Sequence, residues 1–406
     1  LSAGSAERHF DGANFVLNVT AADVNSNDGD TPLLVYASIG FDDTGEREMT
    51  CVAGDCTLTV LEEDIKDQRG GIRAVTFRVE DTVGASTSGD FGNSIDVTKT
   101  SSFVLTGPGD QILLPGSNDY TFTVENNGNF EDTFSISASS LNNWVNASSD
   151  SSVTVAYAST GTFTITMDVP YDVAAGINDS WSVDVTAGND GTQISNDGGI
   201  TTVDVLSSHT VTIADSSSNA DPGATVTYYF TITNRGNADE SFAYTTSGNP
   251  SSGSTATLGM GISETVTVSH TVGSASAAGD QSTVTLTTTS GSKSATAITT
   301  TNQIYGVTII LQTTTDEGGI SPGEQFDAVY TITNTGNGPD TVTISFSADW
   351  FTSASGTTRS LVGFGDTSTA TATLMAPSDA ASGSSSSIIA FATGLGSSGD
   401  SGTASL

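Results

Sequence analysis

One segment of the sequence occurs three times and constrains the fold more than any other feature. It reads YTFTVENNGN at 120–129, YYFTITNRGN at 228–237 and AVYTITNTGN at 328–337. Large apolar and hydroxyl-bearing residues alternate along each copy, which predicts a β-strand with one buried face. The Asn-x-Gly-Asn that ends each copy predicts a tight hairpin in which glycine and asparagine adopt positive φ angles.

The spacing of these copies indicates the size of the folding unit. The asparagines that open the three turns, Asn126, Asn234 and Asn334, are 108 and then 100 residues apart. That interval is the length of one immunoglobulin-like β-sandwich. A chain of 406 residues is too long for a single core, and four modules of about 100 residues account for its length. We therefore predict an all-β fold of four tandem immunoglobulin-like β-sandwiches.

Two more signatures keep a constant order around the repeated strand and define the modules. A Pro-Gly precedes it at 115–116, 222–223 and 322–323, and Ala-Ala-Gly or Ala-Ser-Gly follows it at 174–176, 277–279 and 381–383. We place module two at 100–206, module three at 207–301 and module four at 302–406. Module one, 1–99, lacks the repeat, but its strand patterns at 15–20, 33–37 and 75–80 predict a further immunoglobulin-like or cadherin-like sandwich.

The net charge of −36 limits the partners of this chain. It arises from 46 acidic and 10 basic residues, and such a field repels nucleic acid and anionic lipid. Exposed positions are mostly Ser, Thr, Gly, Asp and Asn, a composition typical of secreted and cell-surface β-proteins. Module one carries seven of the ten cations: Arg8, Arg47, Lys66, Arg69, Arg73, Arg78 and Lys99.

The cysteines point to an oxidising compartment. The chain has two, Cys51 and Cys56, in the sequence CVAGDC. Gly-Asp at the bend suits a disulfide that closes a hairpin, and disulfides persist mainly outside the cytosol. Two reduced thiols are the alternative. A metal site is disfavoured because no second Cys or His pair completes a tetrahedron.

The sequence contains no apolar run of 18 residues, so we predict no membrane-spanning helix. It begins with Leu1 and has no apolar signal core. We therefore expect a mature or trimmed chain located outside the cell.

These motifs resemble a known class of surface module. Pro-Gly, the alternating strand, Asn-x-Gly-Asn and a following Asp-Thr-Phe or Asp-Thr-Val resemble the CARDB-type adhesion-related modules of archaeal and bacterial surface proteins. They are also similar to immunoglobulin-like modules appended to some secreted glycosidases. The resemblance covers 100–406, while module one shares only the general immunoglobulin-like or cadherin-like appearance. It implies a role as a spacer, a lattice or filament subunit, or an adhesive stalk.

Catalytic signals in the sequence are weak. GISPG at 319–323 matches the letters of a nucleophile elbow, but Pro322 has no amide hydrogen to offer an oxyanion. GLGSSG at 394–399 spells a dinucleotide motif without a following helix. His9, His209 and His270 lie in different modules, and no carboxylate pair stands out as a glycosidase pair. We predict that the protein is not an enzyme.

One acidic loop of module one favours a calcium ion. It places oxygen ligands at alternate positions, as hard cations require, and its candidate ligands are Asp23, Asn25, Asn27, Asp28 and Asp30, which Asp42 and Asp43 could complete. The EF-hand pattern is broken, because Asp28 occupies the place of the turn glycine. A solvated acidic loop without metal is the alternative.

Three sequons are candidate glycan acceptors. They begin at Asn18, Asn146 and Asn178. A chain rich in Ser and Thr also produces such triplets by chance.

Two functions from different classes fit this sequence. The first is a non-enzymatic extracellular subunit of a surface layer, sheath or filament, in which the cations of module one dock on acidic modules of the next molecule head to tail. The alternative is an adhesin, or a carbohydrate-binding or spacer part of a larger secreted protein. A sugar platform would need exposed aromatic residues, whereas Trp144, Trp181 and Trp350 stand in apolar contexts that predict core packing.

Overall fold

The computed structural model describes residues 7–9, 15–21, 33–40, 45–61, 64, 68–81, 84–89, 94–147, 149–314, 319–396 and 399–405. These residues form 33 β-strands in eight sheets, which confirms the all-β prediction. The chain divides into two compact units, 1–206 and 207–406. Each unit contains two of the four hydrophobic clusters that the described residues form.

Module one has two sheets. Its strands are β1 (Glu7–His9), β2 (Phe15–Thr20), β3 (Leu34–Ile39), β4 (Arg47–Glu48), β5 (Thr50–Val52), β6 (Asp55–Val60), β7 (Gly71–Glu80), β8 (Ser86–Gly89) and β9 (Ser94–Val97). One sheet has the order β2-β6-β5, and the other has the order β1-β9-β7-β3-β4 with β8 paired to β7. Val35, Val75 and Phe77 are fully buried between the sheets.

Modules two and three share one topology. The strands of module two are β10 (Phe103–Thr106), β11 (Gln111–Leu113), β12 (Gly116–Asn126), β13 (Asp132–Ser140), β14 (Ser152–Val155), β15 (Thr160–Val169), β16 (Asn178–Ala187) and β17 (Ile194–Val203). Those of module three are β18 (His209–Ile213), β19 (Ser217–Ala220), β20 (Thr225–Asn234), β21 (Ala243–Thr246), β22 (Ser252–Ser254), β23 (Ser263–Thr271), β24 (Gln281–Thr288) and β25 (Ser294–Thr301).

In module two the sheet β10-β12-β15 faces the sheet β11-β17-β16-β13-β14. Module three repeats both orders, with β18-β20-β23 and β19-β25-β24-β21-β22. In each module the second strand pairs in parallel with the last one. The first two strands of modules two and three therefore belong to different sheets of the sandwich.

Module four varies this plan. Its strands are β26 (Val307–Thr314), β27 (Gln325–Asn334), β28 (Asp340–Ala348), β29 (Phe351–Ser355), β30 (Thr358–Leu361), β31 (Thr367–Met375), β32 (Ser387–Thr393) and β33 (Gly399–Ser405). The sheets are β26-β27-β31-β29 and β30-β28-β32-β33. Here the first strand, β26, pairs with β27 along its length and crosses a register shift after Leu311.

The repeated strands lie at the centre of their sandwiches, with the facing that the alternation predicts. In β12, Tyr120, Phe122 and Val124 are buried, while Thr121 and Glu125 are exposed. The same positions of β20 and β27 are also buried. Apolar side chains at every second position therefore form the core of each repeat.

The hairpin prediction for the Asn-x-Gly-Asn turn is wrong. β12 pairs with β10 and β15, whereas β13, which follows the turn, pairs with β14 and β16 in the other sheet. The turn is thus an arch that carries the chain from one sheet to the other. Its glycine does not adopt a positive φ angle. A Cβ on Gly128 would instead lie 2.5 Å from the carbonyl oxygen of Thr100, so close backbone approach excludes a side chain there.

Candidate functional site

The first asparagine of each arch holds the arch together from inside the module. In module three the side-chain amide of Asn234 donates to the carbonyl oxygens of Ala238 and Leu258, both at 2.8 Å, and its Oδ1 accepts the N–H of Gly236 at 2.8 Å. Asn126 makes the three corresponding bonds in module two. In module four, Asn334 donates to the carbonyl of Gly338 and accepts the N–H of Gly336. A buried amide therefore satisfies backbone groups that the arch leaves without strand partners.

The last asparagine of the arch contacts the preceding module in unit one. The side chain of Asn129 donates to the carbonyl of Thr98 and accepts the N–H of Thr100, both at 2.9 Å. Its own carbonyl accepts the N–H of Gly70 of module one at 2.7 Å. The arch is therefore hydrogen-bonded both to the linker and to the body of module one.

The junction of modules three and four, in unit two, uses the same pattern. The side chain of Asn337 donates to the carbonyl of Asn302 at 2.9 Å and accepts the N–H of Ile304 at 2.7 Å. It also donates to Ser276 of module three at 3.2 Å. Its carbonyl accepts the N–H of Ala278 at 2.9 Å. A motif that recurs in the sequence thus forms the junction in both units.

Residues beside the arch adapt each junction to its neighbour. In unit one the ammonium group of Lys99 lies 5.0 Å from the ring centre of Phe130, and the guanidinium of Arg69 lies 5.2 Å from that of Tyr157. Both distances are within the range of cation–π attraction. In unit two the position of Phe130 is occupied by Gly338, where a Cβ would lie 2.6 Å from the Cβ of Ala278. One junction therefore depends on large side chains and the other on close packing.

Two further cations of module one are paired inside it. Arg47 contacts Asp64 at 2.7 Å, which lowers the pKa of that carboxyl group. Arg78 contacts Glu46 at 2.7 Å and Glu80 at 2.5 Å. The hydrogen bonds from Arg78 hold the pKa of Glu46 below its usual value. Together with Lys99 and Arg69, these cations therefore have partners within the same chain.

The predicted disulfide is present. Cys51 and Cys56 lie opposite each other on β5 and β6, are joined by an S–S bond, and have Cα atoms 4.0 Å apart. The bend between them is formed by Ala53 and Gly54, both at positive φ. Strands β5 and β6 therefore form a hairpin that the disulfide closes covalently.

The structure describes the three sequon asparagines but not the proposed calcium ligands. Asn18 on β2 and Asn178 at the start of β16 are exposed, whereas Asn146 is half-buried and donates to the carboxylate of Asp168. The proposed calcium ligands lie outside the described residues: Asp23, Asn25, Asn27, Asp28, Asp30, Asp42 and Asp43. Within the described residues, no group of three His, Cys, Asp or Glu side chains could hold a metal ion.

The tryptophans and the central histidine belong to hydrophobic cores. Trp144 and Trp181 are buried in module two, and Trp350 packs against the core of module four, as the sequence predicts. His209 is buried in module three, where its Nε2 shares a 2.7 Å hydrogen bond with the hydroxyl of Thr288. Sequence reasoning did not locate the junction role of Asn129 and Asn337, although their recurrence was a signal for it.

One cleft of the described residues is open to solvent and has a mixed polar and apolar lining. This cleft of about 360 Å³ in module two is lined by residues that include Ser140, Asn146 and Asp150. The Oδ2 of Asp150 accepts a backbone N–H of β15, and Asn146 is bonded to Asp168, so these groups serve the local backbone and side chains. Over the part of the chain that the structure describes, no helix is long and apolar enough to cross a membrane.

Comparisons with known proteins find similarity to modular β-sandwich proteins. A family model described as the VWA7 Ig-like domain matches residues 309–406. No curated protein matches the chain. Protocadherin gamma B7 extracellular cadherin domains 1–4 are 13% identical, with 99% of each chain covered and a TM-score of 0.38. A tetra-tandem repeat from the extending region of a large adhesion protein is 14% identical, with 96% of this chain and 94% of that chain covered and a TM-score of 0.29. The human desmocollin-1 ectodomain is 8% identical, with 98% of this chain and 79% of that chain covered and a TM-score of 0.35.

Proposed function

We propose that this chain is a non-enzymatic extracellular structural protein, a subunit of a cell-surface layer, sheath or filament. The observation that carries the proposal is the repeated junction, in which Asn129 and Asn337 each bind the preceding module through side chain and backbone. Hydrogen bonds at several points restrain how one module can turn on the next. Modules joined in this way suit a protein that transmits position or force.

The chemistry of the chain supports an extracellular location. A disulfide between Cys51 and Cys56 persists in oxidising surroundings. A net charge of −36 keeps a Ser/Thr-rich surface hydrated. Neither feature contributes a reactive centre, and the titratable groups at the described junctions serve packing or backbone hydrogen bonds.

The structure modifies the expected mode of assembly. Arg47, Arg69, Arg78 and Lys99 are used within the chain, so the cations of module one are a weaker basis for head-to-tail docking than their number suggested. Molecules of like charge repel each other less when salt screens them or divalent cations bind them. We therefore expect association to require salt or calcium.

Light scattering and negative-stain imaging of the purified chain test the proposal. We expect monomers at about 10 mM salt, where the Debye length is about 30 Å, and ordered assemblies at about 1 M salt or with millimolar calcium. Monodisperse single molecules under all of these conditions would contradict it. Parallel melting curves with calcium and with chelator examine the loop that contains Asp23 and Asp30, since a bound ion stabilises the folded state.

Glycan attachment is a second proposed property. Asn18 and Asn178 are exposed, and we propose them as acceptors, whereas the amide of Asn146 is engaged by Asp168. Intact-mass measurement of native material, followed by Asn18→Gln and Asn178→Gln, checks the assignment. Glycan mass retained in the double variant and lost on Asn146→Gln would refute it.

The adhesin or carbohydrate-binding alternative has one supporting observation. Val362 and Phe364, in the loop before β31, are 77% and 80% exposed. A sugar-binding row of aromatic side chains does not form from Trp144 and Trp181, because both are buried. A glycan array that shows specific binding lost on Phe364→Ser would favour this alternative.

A further inference from the structure

The last recurring signature, Ala-Ala-Gly or Ala-Ser-Gly, forms the same backbone in modules two, three and four. Its glycine has a positive φ angle each time: 81° at Gly176, 83° at Gly279 and 91° at Gly383. The residue after each glycine donates its N–H to the residue that opens the signature, at 3.3, 3.1 and 3.0 Å respectively. These are the bonds of Ile177 to Ala174, Asp280 to Ala277 and Ser384 to Ala381.

A second turn immediately before the signature also recurs. Its N–H donors, the residues just before each signature, are Val173, Ser276 and Ala380, and their acceptors lie three residues earlier at Pro170, Gly273 and Pro377. Two consecutive turns thus present the same backbone groups at one end of each module. We name this segment of module four, residues 377–384, the terminal double turn.

In module three the equivalent double turn is a binding surface. The N–H of Ala278, in the middle of the signature, donates to the carbonyl of Asn337 at 2.9 Å. Two residues earlier, the carbonyl of Ser276 accepts the side-chain amide of Asn337 at 3.2 Å. The double turn therefore offers one donor and one acceptor that match the last asparagine of an Asn-x-Gly-Asn arch.

The same two groups are presented by module four. The residue that corresponds to Ala278 is Ser382, which is exposed, and the one that corresponds to Ser276 is Ala380. Among the described residues, neither the N–H of Ser382 nor the carbonyl of Ala380 has a hydrogen-bond partner. Strand β33 pairs with β32 so that Ser405 lies opposite Ser387, and the last residues of β33 are therefore close to this turn.

We propose that the terminal double turn is a docking site for the Asn-x-Gly-Asn arch of a further β-sandwich module. The arch of that module would place an asparagine carbonyl on the N–H of Ser382 and an asparagine amide on the carbonyl of Ala380. The inference rests on the proposed role of the chain in an assembly of tandem modules, and it specifies the partner by its arch. A second copy docking in place of such a module is the competing outcome.

Amide hydrogen exchange in an extended chain tests the site. Residues 302–406 are repeated after Leu406, which gives a five-module chain whose added arch is identical to the one seen on module three. We expect the amide of Ser382 to exchange at least about tenfold more slowly than in the four-module chain, because it gains a hydrogen bond removed from water. The amide of Ala278 serves as the internal reference in both chains.

The control is the same five-module chain with Asn337→Ala in the added copy. This removes the side chain that positions the asparagine carbonyl, and we expect the protection of Ser382 to be lost. Equal exchange of Ser382 in the four-module and five-module chains, with 325–334 of the added copy protected, would overturn the proposal. Concentration-dependent protection in the four-module chain would assign the turn to a second copy and would also overturn it. Light scattering of the four-module chain tests the proposed function independently.

Discussion

The phenolic hydroxyl of Tyr120 and the hydroxyl of Thr201 share a 2.6 Å hydrogen bond in the core of module two. Module three repeats this bond between Tyr228 and Thr299. In module four the tyrosine lies two residues further along the strand, at Tyr330, and among the described residues its buried hydroxyl has no partner. Burial raises the pKa of Tyr330 accordingly.

This difference predicts that replacing tyrosine by phenylalanine changes the free energy of unfolding differently in modules two and four. We expect Tyr120→Phe to lower the free energy of unfolding of module two by about 1–2 kcal/mol, because Thr201 loses its partner in a buried place. Tyr330→Phe should be neutral or stabilising, since it removes a hydroxyl that is desolvated without compensation. Urea denaturation of the two variants beside the unmodified chain measures both. A loss at Tyr330→Phe as large as that at Tyr120→Phe would contradict the prediction.

The buried side-chain amide of Asn126 should contribute more to the free energy of unfolding than an amide on the surface. Asn126→Ala removes donors to the carbonyls of Phe130 and Val155 and the acceptor of Gly128. We expect it to cost about 2–4 kcal/mol, because buried backbone groups are left unpaired. Asn196→Ala, on the exposed face of β17 in the same module, is the control and should change the unfolding free energy by less than about 0.5 kcal/mol. Chemical denaturation compares the two variants.

The junction of modules three and four should be sensitive to a single methyl group. In Gly338→Ala the new Cβ would lie 2.6 Å from that of Ala278, so the arch must move away. We expect the amide of Ala278 to lose most of its exchange protection, while the strands of both modules keep theirs. Gly363→Ala, which adds a Cβ with no atom within 4 Å, is the matched control. Unchanged protection of Ala278 in Gly338→Ala would contradict the close-packed junction.

Module three should lose stability below neutral pH through one histidine. Burial lowers the pKa of His209 below its ordinary value of 6.5, with Glu240 opposing this shift and Lys293 adding to it. As the pH falls, the His209 side chain therefore becomes protonated in the unfolded state before it does so in the folded state. This contribution is complete above the unfolded pKa of about 6.5 and is lost as the pH falls through that value toward the lower pKa of the folded state.

Hydrogen exchange of β20 and β23 across this pH range measures the effect. His209→Phe should remove the pH dependence, since module two has Phe103 at the same register position. His270→Gln, at a partly exposed site of the same module, is the control and should leave the pH dependence of exchange unchanged. A slope that persists in His209→Phe would assign the proton uptake to another group.

The disulfide should stabilise module one alone. Joining Cys51 to Cys56 closes a very short loop, and the chain-entropy estimate for such a loop is about 2 kcal/mol. We expect the double variant Cys51→Ala, Cys56→Ala to unfold module one at lower urea, with strands of modules two to four unaffected. Exchange measured strand by strand distinguishes the modules. An equal loss in all four would show that they unfold as one unit.

The alternation of residues along β12, β20 and β27 was enough to predict an all-β chain and the side chains of its cores. Period-two patterning is a local property, because each strand side faces either the core or water. The same pattern could not identify strand partners. The arch after Asn126 was predicted as a hairpin, since Asn and Gly suit both kinds of turn, and the partner β15 begins more than 30 residues later.

Sequence by itself determined the strands, the repeat, the disulfide pair and the acidic surface of this protein, because each depends on neighbours in the chain or on composition. Only the tertiary structure decided that Asn129 and Asn337 bind the preceding module and that Arg69 and Lys99 lie on aromatic rings of module two. Such contacts join residues that are far apart in the chain, and their geometry follows from how complete sandwiches pack. A residue's type shows which bonds it can make, whereas the fold selects the partner.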